Sequence, residues 1–178
     1  RVASLEGLFQ VSTKRAILLQ NLQDWDAVDE QLASAEGHLL TLQTLTDGSD
    51  QTATRDRLRN KQFLYQAKGN RSLRQKDYSQ AKKDYEQSLN ALEGLRGMSA
   101  YGADEQRTAA GVRINLANTE MQLQELESSA ANYRMALEDL ETWAAQHAEN
   151  PSWIEEWSAG ILNQSSVLVA LDRKEEAF

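Results

Sequence analysis

Apolar and small residues in this chain recur at steps of three and four. In QKDYSQAKKDYEQSLNAL, from Gln75 to Leu92, the positions Tyr78, Ala81, Tyr85, Ser88 and Leu92 follow that rhythm and share one helical face. The stretch holds no proline or glycine and many strong helix formers. Its sticky face alternates bulky with small side chains. Small residues let a neighbouring helix approach, and bulky ones fill the gaps that result. Extended along the chain, the same rhythm predicts helices over residues 3–22, 24–46, 52–75, 78–96, 103–123, 126–148, 151–171 and from 173 onward. Polar, turn-rich segments at 44–52 and 96–105 separate them. Asn150 reads as an N-cap, with Pro151 at the first helical position.

The pattern repeats. A small residue on one helix is followed by a short polar turn and then by the opening residue of the next helix. The pairs are Ala16 and Trp25, Gly69 and Tyr78, Ala117 and Leu126, and Ser165 and Lys174, each nine positions apart. Successive pairs are offset by 53, 48 and 48 residues. This divides a single domain, 1–178, into units of about 1–50, 51–101, 102–149 and an incomplete 150–178. A lone unit of this kind cannot bury its apolar face, so neighbours are expected to stack. The chain stops at Phe178 inside an expected helix, as an excised piece of a longer protein would.

This order resembles the tetratricopeptide repeat family. The likeness is carried by KGNRSLRQKDYSQAKKDYEQSL (Lys68 to Leu89), by Leu116 and Ala117 with Tyr133 and Ala136, and by the closing LDRKEEAF. The usual repeat has about 34 residues, whereas the spacing here is 48 to 53. Lys174 stands where an aromatic is usual, and the proline that often closes a repeat is absent except at Pro151. The resemblance implies an all-α fold: a right-handed α-solenoid of stacked antiparallel helix pairs, with longer helices and loops than the common repeat. It also implies a concave groove, lined by the first helix of each unit, that takes an extended peptide or a partner helix. The groove positions it implies are Thr13, Ile17 and Gln20, then Gln66, Asn70 and Arg74, then Ile114, Asn118 and Gln122, then Leu162 and Ser166. An asparagine at the place of Asn70 or Asn118 often bonds the backbone of a bound peptide in the family. Arg74 would add a charge-assisted bond to a carboxylate. The lysines of a chaperone-tail clamp are not reproduced, because Lys61 and Lys68 fall on non-matching positions.

Composition narrows the chemistry. Of 178 residues, 40% are apolar and 26% charged, which suits a thin object with much surface per residue. One proline and nine glycines argue against an all-β fold with many tight turns. A net charge of -8 disfavours nucleic acid as a partner. The local basic run Arg55, Arg57, Arg59 and Lys61 is spaced by two, which scatters it around a helix. Absence of cysteine excludes disulfides and Cys-ligated zinc but does not fix the compartment. No run of about 18 apolar residues predicts membrane insertion, and no signal peptide is recognisable.

His38 and His147 stand alone, without a second ligand at metal-binding spacing. The acidic pairs, such as Glu155 with Glu156, read as solvated helix faces rather than acid–base machinery. No phosphate-cradling glycine loop and no hydrolase or zinc-protease motif is present. The expectation is therefore a non-enzyme without cofactor or metal, a scaffold for a protein or peptide partner. Two other readings stay open: a peptide- or ligand-sensing regulatory module of a larger signalling protein, and a homodimer formed through the open terminal repeat. Trp25 is expected in the core. Trp153 and Trp157 should pack together, with Trp143 meeting them across the loop, as an enlarged joint between units.

Overall fold

A computed structural model describes residues 2–45, 50–98, 101–147, 149 and 152–177. It contains seven α-helices: α1 Val2–Leu22, α2 Trp25–Leu45, α3 Gln51–Arg74, α4 Tyr78–Arg96, α5 Ala103–Gln122, α6 Leu126–Gln146 and α7 Ser152–Ala170. No strand occurs among the described residues, so the chain is all-α there. Each helix begins and ends within two residues of the prediction from periodicity. The helix expected from 173 onward is instead one 3₁₀ turn, Lys174–Glu176. The Asn150–Pro151 cap, the centre of the 44–52 joint, part of the 96–105 joint and the side chain of Lys174 lie outside the described residues.

Four turns show why the helices pair. Gln23, Lys76, Gln124 and Asp172 have φ between 58° and 62°, the left-handed region, and none is glycine. The next residue's N–H reaches back to the carbonyl of Leu19, Ser72, Glu120 or Leu168, respectively. The left-handed residue's own N–H reaches Gln20, Leu73, Met121 or Val169. This is the Schellman geometry, which satisfies the carbonyls at the end of a helix and reverses the chain. In the first two turns the next residue also starts the following helix: Asp24 accepts from Ala27 N at 3.2 Å and Asp77 from Gln80 N at 3.1 Å. The four left-handed residues are offset by 53, 48 and 48 positions, the spacing of the small residues. α1/α2, α3/α4 and α5/α6 are thereby three hairpins with like turns.

Substantial packing joins each helix to the next in order, together with α1 to α3 and α5 to α7. Ala16, Gly69 and Ala117 are buried. A Cβ on Gly69 would stand 2.6 Å from the Tyr85 ring, so α3 and α4 touch there with no room for a methyl group. Ser165 is half-buried and donates to the carbonyl of Ala177 at 3.0 Å, holding the 3₁₀ turn against α7. Tyr85 and Tyr133 occupy like positions in successive hairpins and are both fully buried. Trp25 packs half-buried on the first core cluster. Trp153 and Trp157 meet edge to face at 6.1 Å. Trp143 stacks on His147 at 4.6 Å, with the Arg107 guanidinium 5.1 Å from its ring centre.

Candidate functional site

The expected groove residues divide by exposure. Thr13 and Gln20 do not line an open groove. Both are buried, on the inward stripe of α1 with Phe9, Ser12 and Ala16. Thr13 Oγ1 donates to the Phe9 carbonyl at 2.9 Å, and Gln20 Nε2 donates to the Ala67 carbonyl at 3.0 Å. The reason is coverage: α1 carries both α2 and α3, so its inner stripe is wider than one hairpin partner would make it. Ile17, Arg74, Gln122, Leu162 and Ser166 are exposed, while Gln66, Asn70, Ile114 and Asn118 are half-buried. Gln66 accepts from Gln62 Nε2 at 2.8 Å. Ile114 leans on two core clusters. Ser166 Oγ donates to the Leu162 carbonyl at 2.9 Å.

Asn70 and Asn118 are held in the same way. Tyr85 Oη donates to Asn70 Oδ1 at 2.8 Å, and Tyr133 Oη donates to Asn118 Oδ1 at 2.5 Å. Asn163 Nδ2, from α7, adds a second bond to Asn118 Oδ1 at 3.3 Å. Burial pushes the Tyr133 hydroxyl up to about 12, and it moves Tyr85 in the same direction. Both phenols therefore stay protonated donors at neutral pH. Each consumes the oxygen of its asparagine, which fixes the carboxamide orientation. Among the described residues neither asparagine's Nδ2 donates a hydrogen bond. The arrangement leaves two amide groups 48 positions apart on α3 and α5, with Arg74 and Gln122 one turn further along. The first hairpin lacks the device, since Ile17 and Leu32 occupy the corresponding places.

A second feature escaped the sequence reading because its members are far apart in the chain. Between α2, α3 and α4 lies an open cleft of about 300 Å³. Its walls carry two ion pairs, Lys68 with Glu36 at 2.8 Å and Arg71 with Asp29. Asp84, 5% exposed, accepts from Gln80 Nε2 at 3.1 Å at the cleft's base. Burial pushes its carboxyl above the ordinary range, against the opposing pull of the Gln80 bond and of Lys68. A folded-state pKa above the unfolded one favours the fold at low pH, and that advantage is lost as pH rises through it. At neutral pH the ionised Asp84 is thus a liability. Asp84→Asn keeps an acceptor for Gln80 and should raise the melting temperature at pH 7 by a few degrees. The gain should shrink toward pH 4 as the wild-type carboxyl protonates. Melting curves across this range decide; a lower melting temperature at pH 7 would show that the carboxylate itself is needed.

Among the described residues no three potential metal ligands come together, and no helix is long and apolar enough to cross a membrane. No protein-family model matches the chain, and no curated protein or solved structure matches it significantly.

Proposed function

We propose that this chain is a protein–protein interaction scaffold, a right-handed α-solenoid of tetratricopeptide-like hairpins whose first helices receive an extended peptide or a partner helix. The observation that carries this reading is the repeated Tyr–Asn pair. Two asparagines, 48 positions apart on α3 and α5, have their oxygens fixed from behind and keep their Nδ2 groups as donors. A peptide in extended form offers backbone carbonyls as acceptors, and donors that are already oriented lose little entropy on binding. Arg74 adds a cation for an acidic side chain or a terminal carboxylate. Ile17 and Leu162 supply apolar contact at the two ends.

The test exploits the difference between the two ends of a carboxamide. Asn70→Asp and Asn118→Asp keep an acceptor for the tyrosine hydroxyl, exchange the Nδ2 donor for an acceptor oxygen and add a negative charge that repels a peptide carbonyl. A random-peptide phage library selected on the wild-type chain should yield ligands whose affinity falls about tenfold or more in the double variant, a loss typical of one or two hydrogen bonds. Melting temperatures should change little. A library that yields no ligand, or ligands indifferent to both substitutions, would remove the groove from consideration.

A further inference from the structure

The cleft between α2, α3 and α4 is a place that the next junction fills with a side chain of its own. The repeat spacing maps one junction onto the other. Asp29 falls on Lys82 at the offset of 53, and Ser72, Gln80 and Asp84 fall on Glu120, Ser128 and Asn132 at the offset of 48. At the second junction Glu120 of α5 is 2% exposed. Its carboxylate accepts from Ser128 Oγ at 2.5 Å and from Asn132 Nδ2 at 2.8 Å, and Lys82 Nζ of α4 stands 3.9 Å away. At the first junction Ser72 ends at its hydroxyl, and the room that a longer side chain takes up one repeat on is left as the cleft.

The charges are reversed as well. The second junction sets donors, Lys82 and Asn132, around a carboxylate. The first sets carboxylates, Asp29 and Asp84, in the same places. Asp84 lines the cleft and is nine-tenths buried or more. The two cations beside it are engaged elsewhere, Lys68 with Glu36 and Arg71 with Asp29, and Asp84 forms no ion pair among the described residues. Gln80 gives it a neutral donor only. A buried carboxylate without a counter-charge is costly. Natural chains keep such costs where a site needs them. A bare metal ion does not match, because no three potential ligands converge among the described residues. Leu32 and Ala33 add an aliphatic wall.

We propose that this cleft binds a guanidinium group on an aliphatic stem, seated where Glu120 sits one repeat on, with its N–H groups toward Asp84 and its stem along Leu32 and Ala33. A guanidinium suits the place better than an ammonium. Its planar fork matches a carboxylate, and its weaker hydration makes it cheaper to bury. An arginine side chain of a partner and a free small guanidine present the same group. Neither Asn70 nor Asn118 lines the cleft, so this site and the groove stand without each other.

Two probes are titrated against the isotope-labelled full chain by NMR, up to about 10 mM, a range that captures binding of a single charged group. Nα-acetyl-arginine methylamide presents arginine as a peptide does, and agmatine is a free guanidine. Saturable shifts of the Ser72, Gln80 and Asp84 amides are expected with at least one of them, at a Kd of about 1 mM or tighter. The tighter probe identifies the source, peptide or small molecule. Nα-acetyl-citrulline methylamide has the shape of the arginine probe without its charge and should bind about tenfold more weakly. Asp84→Asn should weaken either guanidine about tenfold while the melting temperature rises, so lost binding is not lost folding. Ser72→Gln restores a side chain of the length of Glu120 and should exclude both probes. No saturable binding of either guanidine overturns the proposal, as does binding that Asp84→Asn leaves unchanged or that citrulline matches.

Discussion

Tyr85→Ala should lower the free energy of unfolding by about 3–5 kcal/mol, the range for a large aromatic removed from a closed core. The ring is fully buried and shares a cluster with Leu92 and Leu95 of its own helix and Val112 and Leu116 of α5. It therefore serves both the α3/α4 hairpin and the next junction. Its hydroxyl is bonded to Asn70 at 2.8 Å, so two losses combine. Tyr85→Phe separates them, keeping the ring and costing about 0.5–1.5 kcal/mol for the hydrogen bond. A cycle with Gly69 tests the packing geometry itself. In the wild type, Gly69→Ala drives a methyl to within 2.6 Å of the ring and should cost about 1–3 kcal/mol as overpacking. In the Tyr85→Ala background the methyl enters vacated space, and alanine's better helix propensity, about 1 kcal/mol, takes over. The sign of the Gly69 effect should reverse. Urea denaturation of the four proteins measures this, and simple additivity would mean that the two positions do not meet.

The legible part of the fold is the part written at short range. Helix limits follow from steps of three and four, and the close approach at Gly69 follows from a small residue set beside tyrosines. The left-handed turns are less legible, because Gln23, Lys76, Gln124 and Asp172 are not the glycine or asparagine such a conformation prefers. Their common phase, two positions before the first residue of the helix that follows, is the signal that marks them. In place of the helix expected from 173 onward stands a 3₁₀ turn, Lys174–Glu176, held against α7 by the Ser165 bond to the Ala177 carbonyl.

The candidate groove was half legible. Asn70 and Asn118 stand out as polar residues at a fixed spacing, but nothing local reveals that buried tyrosines hold their oxygens. Thr13 and Gln20 were misplaced because their burial depends on α3, whose Ala67 carbonyl accepts from Gln20 across 47 residues. Long-range ion pairs are hidden for the same reason, though one carries the repeat spacing. Arg59 and Arg107 are 48 apart, and each reaches a glutamate on the next first helix, Glu105 and Glu156, respectively.

One such hidden contact gives the other large expected effect. Asp139→Ala should cost about 3–5 kcal/mol, the penalty for leaving a buried charge without its partner. Asp139 of α6 bonds Arg113 of α5, which is 8% exposed, and Arg96 of α4 stands 3.9 Å from its other oxygen. Burial pushes the Asp139 carboxyl up against the pull of both guanidinium groups, so the intact pair adds little net stability. The cost appears when the pair is broken, and it is asymmetric. Arginine cannot shed its proton, so Arg113 left alone stays charged in the interior. Asp139 left alone has Arg96 and can take up a proton. Arg113→Met should therefore cost less than Asp139→Ala, and Arg113→Met with Asp139→Leu should recover most of the loss. Chemical denaturation of the three variants ranks them. A cost for Asp139→Ala below about 1 kcal/mol, the scale of an exposed pair, would mean that Arg113 reaches water and that the junction of α4, α5 and α6 is held by its apolar contacts alone.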